Sequence, residues 1–155
     1  MKKILMTVMI IAMCVTGGVA QAMRIETMDL TKRQFEITEG FYKPMLSGNL
    51  DWAQREYNSC LTAHAALYDY LNLYKPQTDK NGYVIEFLSG NDREVIYHAA
   101  NIIVLRRNAL YDYILALEAY KRNDTTGQNA MIEACTRDLQ LANEYRQNFI
   151  NLYGY

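Results

Sequence analysis

From Asn49 to the end of the chain, apolar residues recur at steps of three and four, the period of one helix face. Leu50, Tyr57, Cys60, Leu61, His64, Leu67, Tyr68 and Leu71 form the first stripe. Asn49 caps it with Asp51 in the positive first turn, and Pro76 stops it by disfavouring helical geometry at the residue before. This predicts a helix over 50–74. A second stripe, Ile96, Ala99, Ala100, Ile103, Leu110, Ile114 and Leu117, predicts a helix over 91–122, with Asn91 as cap and Glu94 as its capping-box partner. The third starts near Thr125 with Gln128 at the box position and runs through Ile132, Cys135, Leu139, Ala142, Phe149 and Leu152. A weaker helix over 29–42 rests on Leu30, Phe35, Ile37 and Phe41 and is closed by Pro44. No segment alternates at period two. Val84–Leu88 has strand character but no second strand to pair with. Short connections favour antiparallel neighbours, so the expected fold is all-α: an up-and-down helical bundle of three long helices plus a shorter N-terminal helix.

Ahead of the bundle lies a different pattern. Lys2 and Lys3 precede an apolar run, Ile4–Val15, followed by Gly17, Gly18 and the small residues of Ala20-Gln21-Ala22. These are the parts of a secretory signal peptide cleaved after Ala22. About 12 apolar residues give roughly 18 Å of helix against a bilayer core of about 30 Å, too short for an anchor. Met13 before Cys14 lacks the small residue that lipoprotein processing needs. The expected organisation is therefore a leader over 1–22 and a single helical domain over 23–155. The short Lys-Lys leader looks bacterial and points to a periplasmic or extracellular address, with no membrane contact after cleavage.

Composition narrows the partners. The 155 residues are 50% hydrophobic and 21% charged with only 8 Gly and 2 Pro, which excludes disordered and collagen-like chains. The leader holds two lysines and no acid, so the processed domain carries 14 basic and 17 acidic residues, net −3. That balance advertises no nucleic acid partner.

Two cysteines remain after the leader, Cys60 and Cys135, on the first and third stripes. In an oxidising compartment a pair of this kind implies one disulfide, worth up to about 4 kcal/mol on a loop of this length. The alternative is a metal- or cofactor-binding bundle using His64 and His98 with Cys60 and Cys135, since Cys60 and His64 share a helix face. It lacks the paired Cys-Cys and His-His spacings of zinc modules. No Cys-x-x-Cys-His is present for haem, and Glu94 with His98 is four apart where a di-iron motif needs three. Asp79-Lys80-Asn81-Gly82 resembles the centre of a calcium loop, but Gln77 and Leu88 would stand where carboxylates belong, so the segment reads as a turn. We expect no cofactor, no metal site and no catalytic constellation. Arg106-Arg107 interrupts the second stripe and implies a cation at the bundle margin or interior.

Tyrosine is the unusual component, with 13 in the chain. Ala66–Leu71 nearly recurs as Ala109–Ile114, yet beyond these hexads only Asn58 with Asn101 corresponds, and we read the echo as chance. Tyrosine joins a large ring to a polar tip, which suits interfaces. The expected function is a non-catalytic exported protein, of inhibitor, immunity, adaptor or helper type, that binds another protein through Trp52, Tyr68, Tyr70, Tyr111 and Tyr113. The segment over 29–42, joined through Pro44, Ser47 and Gly48, can dock on its own bundle or swap onto a second copy, which leaves a homodimer open.

Overall fold

A computed structural model describes residues 24, 26–38 and 48–154. The order is a helix over 26–38 (α1), α2 over Leu50–Leu73, strands β1 Gln77–Thr78 and β2 Val84–Ile85, α3 over Gly90–Lys121 and α4 over Thr125–Tyr153. The all-α expectation holds, with helix limits within about a residue of those read from the stripes for α2 to α4. The last part of the expected first helix, including Phe41, lies outside the described residues.

Each long helix begins at a polar cap. Asn49 Oδ1 accepts from the backbone N–H of Trp52 at 3.0 Å. The start of α3 differs from expectation. Ser89, not Asn91, is the cap: its Oγ accepts from Asp92 N–H at 3.1 Å and donates to the Asp92 carboxylate at 2.7 Å. Asp92 thus stands where Glu94 was expected, two residues earlier in the chain. Asp124 caps α4 by accepting from Gly127 N–H at 2.9 Å, and a Cβ at Gly127 would collide with that carboxylate. α4 ends on Gly154 in the left-handed region (φ 73°), whose N–H reaches the Ile150 carbonyl at 2.8 Å.

The second departure is a hairpin. β2 does have a partner, because β1 pairs with it antiparallel in the register Gln77 to Ile85 and Thr78 to Val84. The connecting turn is the segment that resembled a calcium loop. Asp79 Oδ1 accepts from the N–H groups of Asn81 and Tyr83, both at 2.8 Å, and Gly82 takes φ 85°. The aspartate carboxylate is therefore engaged in turn formation. Two residues per strand are too few to show alternation, which is why the sequence hid the pair.

α3 is the central element, packed against α2 on one flank and α4 on the other. Its 32 residues give about 48 Å of helix, and Ile96, Ala99, Ala100, Ile102, Ile103, Ala109 and Leu110 are all buried. Burial around most of its circumference marks a helix enclosed by neighbours. The contacts Tyr57 with Tyr111 and His98 with Tyr153 show both flanking helices running antiparallel to it.

α1 closes one side of this layer. It runs antiparallel to α2, its Thr27 hydroxyl 3.1 Å from that of Tyr70, and Phe35 stacks on Phe149 of α4 at 5.4 Å and 16°. Its inner face was misread. Ile37, assigned to the core, is half exposed, while Thr27, Thr31, Gln34, Phe35 and Thr38 are buried. The threonines tolerate burial because their hydroxyls turn back onto their own helix: Thr31 donates to the Thr27 carbonyl at 2.7 Å and Thr38 to that of Phe35 at 2.9 Å. At Thr38 the partner is Arg106, which is buried completely. Its Nη1 donates to Thr38 Oγ1 at 2.6 Å, and its guanidinium carbon lies 4.5 Å from the centre of the Phe35 ring. The cation is thus neither at the margin nor snorkelling outward.

The expected Cys60–Cys135 disulfide is absent, and both residues are buried free thiols. The reason is topological. Cys60 on α2 senses the charge of Arg106, while Cys135 on α4 senses Asp112 nearly two turns further along α3. The central helix stands between them.

Burial pushes both thiols up to about 12, so neither forms thiolate at ordinary pH. Cys60 and Cys135 should resist alkylation at pH 8 in the folded protein and react fully after denaturation, as peptide mass mapping would show. Thr38→Val removes an acceptor from a buried cation and should cost about 1–3 kcal/mol. Thr31→Val, whose hydroxyl only returns to its own helix, should cost distinctly less; urea midpoints of the two variants make the comparison.

Candidate functional site

The side of the layer opposite α1 is aromatic. Tyr97 precedes Arg106 by nine residues and Tyr111 follows it by five. At about 100° per residue both turn well away from the α1 side of α3. On α2, Tyr57, Leu61, His64 and Tyr68 recur at fours and threes and share one side. The two rows meet where the rings of Tyr57 and Tyr111 lie 6.2 Å apart, and His64 rests against Tyr68 at 4.6 Å. Tyr68, Tyr97 and Tyr111 keep 43%, 47% and 51% of their surface exposed. Leu141 and Tyr145 of α4 are also exposed, following Asp138, the residue whose charge reaches Asp112 on α3. Leu61, Tyr68, Tyr97, Tyr111, Leu141 and Tyr145 thus give six exposed large residues on the three long helices.

Electrostatics on this face is mild. Arg107 is half-buried and donates from Nη2 to Asn108 Oδ1 at 3.2 Å. Burial, and then the Arg107 charge, hold the His64 imidazole below its ordinary value of 6.5, so it is neutral at pH 7. Burial and the neighbouring Asp138 push Asp112 up, with Arg137 opposing.

The five residues proposed from sequence part company. Trp52 is buried, edge-on to Tyr113 at 6.4 Å, and the Tyr113 hydroxyl accepts from Gly48 N–H at 3.1 Å. Tyr70 is buried between Thr27 and the ring of Tyr74 at 4.8 Å. These three hold the bundle together. Tyr68 and Tyr111 alone are presented to solvent, joined by Leu61 and Tyr97, which were not singled out, with Tyr57 partly buried against the core between them. The signal was present: the apolar stripe of α2 was too wide for one contact, and its outer margin is this row.

The residues of the metal reading do not converge. His64 lies on the aromatic face beside Arg107, while His98 meets Tyr153 at 6.2 Å on the α4 flank. Among the described residues no three His, Cys, Asp or Glu side chains gather in a way that could hold a metal ion. A shallow groove between α1 and α2 is lined by Gln34, Ile37, Arg55, Asn58, Ser59 and Thr62. The hydroxyls of Ser59 and Thr62 donate to carbonyls of their own helix at 3.1 and 3.0 Å, so neither is poised as a nucleophile.

The fold thus defines a helical protein whose polar chemistry lies in caps and packing and whose exposed feature is an aromatic surface. No family model, curated protein or solved structure matches the chain. Among the described residues no helix is long and apolar enough to cross a membrane.

Because the folded state binds the His64 proton less tightly than the unfolded chain, stability is full above the ordinary value of 6.5 and falls as pH drops through it towards the lowered folded value. Urea midpoints measured across this window should decline for the wild type. His64→Gln should flatten the decline, and an unchanged slope would count against this assignment.

Proposed function

We propose that this chain is an exported, non-catalytic helical protein that acts by binding another protein. The contact surface is the aromatic face formed by Tyr57, Leu61 and Tyr68 of α2 with Tyr97 and Tyr111 of α3. The observation that carries this reading is the exposure of the Tyr68, Tyr97 and Tyr111 rings on one side of the layer, with the buried rings serving the core. Tyrosine rings lose few rotamers on binding and supply both apolar area and a hydrogen-bonding tip, which is why they recur at the centres of protein contacts. Neutral His64 and mild charge leave little to desolvate there. The leader-like Met1–Ala22 segment supports export, and with it a periplasmic or extracellular partner.

Photoreactive amino acids at positions 68, 97 and 111, introduced in an exporting host, should each yield the same discrete adduct. A probe at exposed Glu133 on α4 should yield none. Tyr111→Ser should weaken the adduct formed from position 97 while leaving the helical circular dichroism intact. Equal labelling from all four positions, or none from the aromatic face, would sink the assignment.

A further inference from the structure

Six residues of α3 point within about 40° of the direction opposite buried Arg106: Tyr97, Asn101, Val104, Asn108, Tyr111 and Leu115. Tyr97, Asn101 and Tyr111 are exposed, and Val104, Asn108 and Leu115 are half-buried. The steps between them alternate four, three, four, three, four. That is the spacing of a coiled-coil seam, the row that one helix turns towards a helix of a partner.

The row itself says what kind of helix covers it. Asn101 and Asn108 are seven residues apart and so hold the same seam position in successive repeats. An asparagine there gains little from an apolar partner. Two copies meeting across a two-fold axis satisfy each other, because each amide carries both donor and acceptor.

The margins of the row carry opposite charges. Arg107 borders it on the α2 side, where its charge reaches His64, and Asp112 borders it on the α4 side, beside Asp138. Among the described residues neither Arg107 nor Asp112 has an opposite charge within ion-pair distance, and Arg107 donates only to Asn108. An antiparallel two-fold pairing of α3 with α3 sets each margin against itself, arginine on arginine and acid on acid. A two-fold axis running along α3 sets each margin against the other. Arg107 then reaches Asp112 of the second copy, five residues further on, as marginal charges do across a parallel seam.

The flanking helices fit the same operation. With α2 antiparallel to α3 and Tyr57 level with Tyr111, Leu61 is level with Arg107. With α4 antiparallel as well and Asp138 beside Asp112, Leu141 and Tyr145 lie on either side of that level. Leu61 of one copy therefore falls between Leu141 and Tyr145 of the other. The face is about 27 Å long and roughly 30 Å wide for three helices near 10 Å apart, which gives about 800 Å² on each copy, the size of a standard stable contact.

We propose that the aromatic face pairs two copies of this chain as a parallel homodimer, with α3 against α3 along the two-fold axis and Arg107 of each copy bridged to Asp112 of the other. This rests on the reading of the face as a protein contact and names its occupant. It needs no exchange of the 29–42 segment.

Sedimentation velocity on protein recovered from an exporting host expressing the full chain should give twice the chain mass at micromolar concentration. Arg107→Asp and Asp112→Arg each set like charges across the axis, and each should raise the dissociation constant by roughly tenfold or more. An equimolar mixture of the two variants should dimerise like the wild type, because each mixed pair restores both bridges. Asn101 is exposed, so Asn101→Cys keeps the fold, and mild oxidation should link two copies through position 101. An antiparallel pairing centred on this row holds those positions about 15 Å apart and gives no link. A dimer that withstands both charge reversals, or one not linked through position 101, would overturn the proposal. A monomer that still forms a discrete adduct with a different protein from positions 68, 97 and 111 overturns the pairing while the contact face stands. A monomer with no adduct removes both.

Discussion

A guanidinium in the dry centre of a helical bundle imposes conditions on everything around it. Arg106 is buried completely, and a buried charge is tolerated only where oxygen atoms and polarisable groups replace its water. α1 supplies both. The Thr38 hydroxyl accepts from Nη1 and donates its own O–H to the Phe35 carbonyl, so one residue serves as acceptor and stays satisfied. The Phe35 ring lies over the guanidinium and stacks on Phe149, tying the cation to α4 as well. Together with the Thr27 contact to Tyr70, this small helix reaches all three long ones. A leucine at position 38 would remove the short hydroxyl contact at 2.6 Å from the buried cation.

The asymmetry of the surface follows from this arrangement. α1 covers one side of the layer formed by α2, α3 and α4, and the described residues leave the other side to solvent. α3 must be apolar around most of its circumference to sit between two neighbours, and its fourth side carries rings whose edges can remain wet. Tyrosine fits that boundary better than leucine because its hydroxyl needs no partner from the protein. The interior is chemically quiet in the same sense. Cys60 and Cys135 are held as protonated thiols by burial.

Much of this was legible in the chain. Helix positions followed from period and capping chemistry, both of them local: a backbone N–H three residues past an asparagine or aspartate finds the same oxygen whatever the tertiary context. The tendency of Asn81-Gly82 to turn was local too. The hairpin was not, since pairing Thr78 with Val84 over so short a span leaves no alternation to detect. The candidate site was half legible. Tyrosine content and spacing pointed to a surface, but Trp52, Tyr70 and Tyr113 proved to be packing residues, and no property of an isolated tyrosine codon separates Tyr70 from Tyr68, two positions away on the same helix.

The sequence by itself determined the three long helices, their limits to within about a residue, and the presence of a cation at the level of Arg106, because propensity and period act within a few residues. Only the tertiary structure decided which side of each helix faces inward. The order of helices around α3 set the two cysteines on opposite flanks, so an expected disulfide became two thiols. Contacts of Thr38 with Arg106 and of Thr27 with Tyr70 lie on the inner face of α1, and Ile37 is left half exposed. The packing of α2 against α3 divided one broad apolar stripe into a buried core and an exposed row of rings. Burial of a side chain is a relation between elements distant in sequence, and a hydrophobic pattern specifies that relation only up to the choice of neighbours.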